Sequence, residues 1–327
     1  MDNVTHALTG IALSRAGLNR VTPEATLLLI LASNAADVDI VTMLFGAMTY
    51  LDLHRGPTHS IVALPLLALL PVVLVRWGLR RRLPLLRAWL VCLVGASVHL
   101  GMDYLTAYGT RPFWPFASGW TQWPVFFIAD AFVIAALLLA LAAPALSSLV
   151  SGEIGARRST GQGWSIAALI FLVGWIGFRG MMHDRAEQIL QSRVYQGRPP
   201  LRVMALPNAL NPMRWRGLVE CEGFFSEHDV QVWQEFDPDA GEIMMKPRQT
   251  EILAAARRAP LMKRFLDFAQ WPSWRVVPKD QPEGAVEVQV RDLRFASGFA
   301  ASVELDKNLR VLDESASAGG VRDNSRR

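Results

Sequence analysis

The sequence predicts a polytopic α-helical membrane domain of about six helices, followed by a small α+β extracytoplasmic domain. Three observations point there. Nearly all the long apolar runs of the 327-residue chain lie in residues 1–185, and several approach the roughly 20 apolar residues that cross a bilayer core. Arginines gather in the short turns between those runs, as Arg15/Arg20, Arg76 through Arg82 and Arg157/Arg158. Beyond residue 190 the apolar residues alternate over short segments, the period of half-buried strands.

Val4–Leu18 and Pro23–Ala36 are apolar but short. With Arg15, Asn19 and Arg20 between them, they read as a helical hairpin that spans the bilayer or nearly does. Ile61–Trp77, Leu85–Leu105 and Val125–Val150 are spanning candidates, and Trp164–Met182 is a fourth. Cytoplasmic turns carry the excess of Lys and Arg. The N-terminus, residues 37–59, the loop 109–124 and the C-terminal domain then lie outside. That loop is rich in Trp and Phe, which favour the membrane–water interface. Gly152–Gly163 reads as a Gly/Ser/Arg linker. In residues 186–314, Leu218–Phe225 and Val230–Phe236 read as strands. Gln249–Ala259 and Pro260–Ala269 read as short helices split by Pro260. Trp274–Val277, Ala285–Val290 and Phe299–Leu305 read as half-buried strands. The expectation is an antiparallel sheet with a helical pair on one face. Residues 315–327 form a polar, Gly/Ser-rich tail expected to be disordered.

The net charge of +4 comes from 33 basic against 29 acidic residues. Much of the surplus sits in short loops, so it reports topology, and no nucleic-acid partner is expected. Cys92 and Cys221 imply no disulfide framework. The opening Met-Asp-Asn-Val-Thr-His has no basic n-region and does not read as a signal peptide.

Polar groups inside this apolar half carry the functional signal. An ionised side chain at mid-bilayer costs about 3 kcal/mol or more unless paired, hydrated or metal-bound. His99 and Asp103 are four residues apart on a helical run and share a face. Asp2 and His6 do the same; Asp2 is a ligand, an orienting partner of the imidazole, or a helix cap. Asn34, Asp37 and Asp39 end the second apolar segment. His54-Arg-Gly-Pro-Thr-His59 is the richest stretch: Gly-Pro makes a turn, Arg55 offers a planar donor fork for phosphate or carboxylate, and Thr58 adds a hydroxyl. Asp130 lies in a strongly apolar run, functional by default or paired with an arginine such as Arg111. His183 follows the last span and reads as a headgroup-region residue, and His228 reads as an ordinary surface residue. Mixed His/carboxylate sets suit Zn, Mn or Fe.

At these residues the chain resembles the predicted membrane-bound metal-dependent hydrolases, the family that includes the LexA-binding inner-membrane hydrolases of bacteria. The matching pieces are Met1-Asp2-x-x-Thr5-His6 with Gly10, Asn34-x-x-Asp37-x-Asp39, His54-Arg55-Gly56-x-Thr58-His59-Ser60 and His99-x-x-x-Asp103. The resemblance covers about residues 1–185, and the remainder looks like the extracytoplasmic tail of one branch. The family is distantly similar to zinc-dependent phospholipases C. The resemblance implies His6, Asp37, His54, His59, His99 and Asp103 as metal-site residues, in the bacterial inner membrane. The usual Pro before Asp37 is Ala36 here, which can extend the helix by a turn and leaves Asp37 or Asp39 as the ligand.

The function expected is a metal-dependent hydrolase using Zn or Mn. It would act on an amphiphilic ester or phosphoester at the outer leaflet, with Arg55 and Asp39 in catalytic roles. The alternatives are a metal ion transporter and a non-catalytic, metal-stapled scaffold.

Overall fold

The computed structural model describes residues 1–154, 161–248, 250–319 and 321–324. The expected turn at Arg157/Arg158, the middle of the 152–163 linker and the last three residues of the tail lie outside these. Helices run through residue 191 as α1 (Asn3–Ala16), α2 (Ala25–Ala32), α3 (Ala47–Leu53), α4 (Leu64–Val73), α5 (Leu85–Tyr104), α6 (Ala131–Ile154) and α7 (Gln162–Gln191). Tighter 3-10 segments occupy Leu18–Arg20, Ala36–Phe45 and Pro57–His59. Then follow β1 (Arg202–Pro207), β2 (Arg214–Cys221), β3 (Phe224–Gln231), β4 (Glu242–Met245), α8 (Glu251–Arg258), α9 (Pro260–Phe268), β5 (Pro272–Pro278), β6 (Val286–Asp292), β7 (Phe299–Leu305), β8 (Val311–Ala318) and β9 (Val321–Asn324). The chain divides into two compact units. One holds Met1–Val38, Arg55–Asp184 and Pro207–Met213; the other holds Asp39–His54, Arg185–Leu206 and Arg214–Arg327.

In the first unit, α1 starts at Asp2, whose carboxylate accepts the amides of Val4 and Thr5 at 3.1 and 3.0 Å. It stops at Gly17, whose φ of 146° is a conformation glycine adopts freely. Two other glycines let the helices approach closely. A Cβ on Gly10 would lie 2.9 Å from the Leu29 carbonyl oxygen, and one on Gly95 would lie 3.1 Å from Ala32 Cβ. Thus α1, α2 and α5 converge. Leu28, Ala32, Val72, Ala88 and Cys92 form one core, and Leu8, Ala12, Phe126, Leu137 and Leu172 are part of another.

Outward-facing leucines and isoleucines such as Leu66, Leu86, Leu139 and Ile170 remain exposed, as lipid-facing positions do. Among the described residues, α5 and α7 are long and apolar enough to cross a membrane, and the number rises to four if two bent helix pairs are each one span. In the hairpin expected near the N-terminus, α1 and α2 are each shorter than a span by themselves, and α2 with the 3-10 segment Ala36–Phe45 is one of the two bent pairs. With 14 and 8 residues, α1 and α2 measure about 21 and 12 Å at a rise of about 1.5 Å per residue, against a core of roughly 30 Å. Nor does Ala36 extend α2. The Asn34 and Ala35 amides bond the Leu31 and Ala32 carbonyls three residues back, at 3.2 Å each, so the chain tightens into the 3-10 segment Ala36–Phe45 instead of adding an α-turn.

The second unit contains two sheets, of order β1-β2-β3-β4 and β5-β6-β7-β8-β9, where one was expected. The pair α8 and α9 falls between β4 and β5 and interrupts the ladder. The strand expected at Val230–Phe236 begins earlier, because β2 and β3 close a tight hairpin pairing Cys221 with Phe224 across Gly223 at φ 90°. Residues of the expected tail are paired in β8 and β9. Buried Ala316 and Ala318 alternate there with half-buried Ser315 and Ser317, a period of two hidden by small-residue composition. An ion pair of Arg264 with Asp52, at 2.5 Å, ties α9 to α3.

Candidate metal centre

Four side chains from separate stretches converge in the first unit. Asp37 stands in the 3-10 segment after α2, His59 ends the short turn made by Gly56-Pro57, and His99 and Asp103 share one face of α5. Their ligand atoms all lie within 4.8 Å of one another. His59 Nε2 is 3.2 Å from His99 Nε2. Asp103 Oδ2 is 3.1 Å from the first nitrogen and 3.3 Å from the second. Asp37 Oδ1 is 3.5 and 3.7 Å from the same two atoms. The side chains of His59, His99 and Asp103 are fully buried, and Asp37 is 11% exposed.

Hydrogen bonding leaves this group able to hold a cation. His99 Nδ1 lies 2.7 Å from the Ser33 carbonyl oxygen. A carbonyl only accepts, so Nδ1 carries the proton and the neutral ring presents a bare lone pair at Nε2. That lone pair faces another imidazole nitrogen and two carboxylate oxygens, and the Oδ2 atoms of Asp37 and Asp103 are buried without hydrogen bonds. Lone pairs and carboxylates crowded this way repel one another unless a cation sits among them. Two nitrogens 3.2 Å apart can both lie about 2.1 Å from one ion, at an angle of about 100°. The donor set therefore fits a divalent metal of the Zn or Mn type.

The opposite oxygen of Asp103 is neutralised separately. Arg55 donates to Oδ1 at 3.0 Å, the Met1 amino group contacts it, and His6 Nε2 is 3.3 Å away. With Arg55, the Met1 amino group and His6 gathered on Oδ1, the carboxylate directs only Oδ2 into the pocket. Arg55 is buried, bonded also to Thr106 Oγ1 at 3.0 Å and lying over the Tyr108 ring. It occupies the left-handed region at φ 56°, which costs a non-glycine residue roughly 1 kcal/mol. The geometry makes Arg55 an orienting partner of Asp103 rather than an open anion clamp.

The structure distributes the other expected site residues differently. His6 stacks on His99 at 4.0 Å between ring centres and reaches Asp103, but it is outside the four-ligand group. His54 and Asp39, both in the second unit, pair with each other at 2.8 Å, and His54 stacks on Tyr50. Asp2 caps α1. Asp130 accepts the amides of Phe132 and Val133 at 3.1 and 3.2 Å, capping α6, and lies 3.4 Å from the Trp175 indole nitrogen. Thr58 Oγ1 is 3.0 Å from His59 Nδ1. His228, expected at the surface, is buried on β3, 2.6 Å from Ser226 Oγ. Burial holds its imidazole below the usual histidine range, against the pull of Asp237. The earlier start of β3 put it on the inward face. His183 is also buried, with Asp184 Oδ1 at 3.3 Å. The Ser33 carbonyl, Thr106 and Tyr108 were not anticipated. A backbone acceptor leaves no sequence signal, and Thr106 is marked only by its place one turn after Asp103.

Residues 1–186, which contain all four candidate ligands, match the YdjM inner membrane protein family. The chain belongs to this family. Over 329 aligned positions it is also 25% identical to the uncharacterized protein YfhP of Bacillus subtilis (strain 168), covering 95% of this chain and 93% of that one. That likeness extends through the β-rich unit. No solved structure gives a match. Membership of an inner membrane family agrees with the apolar helices, and the His/Asp cluster gives this member a site able to hold a metal ion.

Proposed function

We propose that this YdjM-family protein is a membrane-embedded, metal-dependent hydrolase acting on an amphiphilic ester or phosphoester. The observation that carries the reading is the two-histidine, two-carboxylate pocket with His99 already fixed in the ligating tautomer. A Zn or Mn ion held by Asp37, His59, His99 and Asp103 supplies Lewis-acid polarisation of an oxygen and lowers the pKa of a water toward neutrality. The protein's own groups do the rest. Arg55 holds the Asp103 charge in place, Thr58 steadies His59, and Asp37, the least buried ligand, marks the side from which substrate enters. The arginine-rich turns support a topology in which they are cytoplasmic, this pocket faces the extracytoplasmic leaflet, and the N-terminus and the β-rich unit lie outside.

Cleavage of a panel of phospholipids and ester lipids by metal-stripped protein, before and after Zn or Mn is restored, tests the reading. Activity that returns with metal and is absent in His99→Ala supports it. Protein that holds metal firmly and cleaves nothing across the panel overturns it. Near-complete burial of three ligands favours a second reading, a structural staple. In that case stripped protein unfolds rather than remaining folded and inactive.

A further inference from the structure

The loop that follows α5 ends in an aromatic tip with no place in the core. Phe116 is 85% exposed and Phe113 58%, and Trp114 between them is also exposed. The tip is nonetheless tightly built. Thr110 and Thr121 exchange backbone hydrogen bonds at 3.0 and 2.9 Å. The Trp114 amide bonds the Arg111 carbonyl at 3.1 Å, and the Ala117 amide bonds the Phe113 carbonyl at 3.0 Å. A braced turn displaying three large aromatic rings is unlike the polar tip of a solvated loop.

We infer that this tip is a membrane-interface anchor, seated among the headgroups and first methylenes of the bilayer. Three observations select lipid as the occupant. The Pro112 carbonyl accepts the Ile61 amide at 2.9 Å. Ile61 leads directly into the exposed Val62 and then Leu66 and Leu69 of α4, so the aromatic patch continues the lipid-facing surface. The residues are Trp, which settles at headgroup level, and Phe, which interfacial segments bury at the headgroup–acyl boundary. The family is an inner membrane one. The anchor also sets the depth of the metal centre, because the Arg111 amide bonds the Arg55 carbonyl at 3.0 Å and Arg55 holds Asp103. The inference does not depend on the proposed reaction.

Spin labels at Phe113→Cys and Phe116→Cys, one at a time in full-length protein reconstituted into phosphatidylethanolamine/phosphatidylglycerol vesicles, test it. Cys92 and Cys221 are buried and leave the label specific. Leu66→Cys serves as the lipid reference and Asn308→Cys, in an exposed turn, as the aqueous one. Both tip labels should be several-fold more accessible to oxygen than to a water-soluble nickel chelate, as at Leu66. Nickel accessibility equal to that at Asn308 overturns the anchor. So does protection from both reagents, which would mean that protein covers the tip.

Discussion

Replacing Asp103 with Asn separates the two jobs assigned to this carboxylate. The side chain is fully buried, as is nearly all of Arg55, 3.0 Å away. Asn keeps the shape and removes the charge, so the guanidinium stays buried without this counter-ion. Removing one partner of a buried pair costs about 3–5 kcal/mol. For a chain of this size about 2–4 °C of melting temperature accompanies each kcal/mol, so a fall of roughly 6–20 °C is expected in detergent with chelator present. The loss is therefore independent of metal. Arg55→Met in the same background should recover a large part of it, because the stranded charge is gone. Thermal unfolding followed by intrinsic fluorescence of wild type, the two single variants and the double variant completes the cycle. An Asp103→Asn protein that melts within about 2 °C of wild type in chelator, well below the shift expected from a broken buried pair, would refute the reasoning.

Gly95→Leu should force α2 from α5, since a Cβ there already meets Ala32 at 3.1 Å and Ser33 Oγ at 3.3 Å. A loss of about 1–3 kcal/mol and weaker metal binding are expected, read by melting and metal titration, because Ser33 orients His99. Asp130→Ala should cost about 1 kcal/mol as a lost helix cap and leave metal content unchanged; metal loss would assign Asp130 to the site. His228 has a folded pKa below its unfolded value, so the unfolded state binds more protons in acid. Its stability contribution is complete above the unfolded value of about 6.5 and falls as pH drops below it, by at most about 1.4 kcal/mol per pH unit. Chemical unfolding between neutral and mildly acidic pH should show a shallower decline in His228→Gln, and an unchanged slope would count against it.

Helix and strand positions were legible where one period persisted. The run Leu85–Leu105 became α5 at Leu85–Tyr104, and Phe299–Leu305 became β7 with the same ends. The centre was legible in part, because charged groups in an apolar run require a partner. His99 and Asp103 follow from helical spacing alone. The choice between Asp37 and Asp39 did not, since it turns on α2 stopping at Ala32 and giving way to the tighter 3-10 segment Ala36–Phe45, which an apolar run does not mark. His54 and His59 looked equivalent in sequence. The chain between them turns at Arg55 and Gly56, which sends His59 to the ligands and leaves His54 with Asp39. Small-residue strands such as β8 and β9 were lost to composition, because alanine and serine mark a buried face only weakly.

On the proposed reading, Asp37, His59, His99 and Asp103 hold a single divalent ion. Elemental analysis of detergent-purified protein, comparing wild type with His99→Ala and His54→Ala, tests it most directly. Wild type and His54→Ala should each retain about one ion per chain, consistent with one four-donor site, while His99→Ala retains almost none. Equal metal content in all three proteins, or metal lost with His54 and kept without His99, would contradict it.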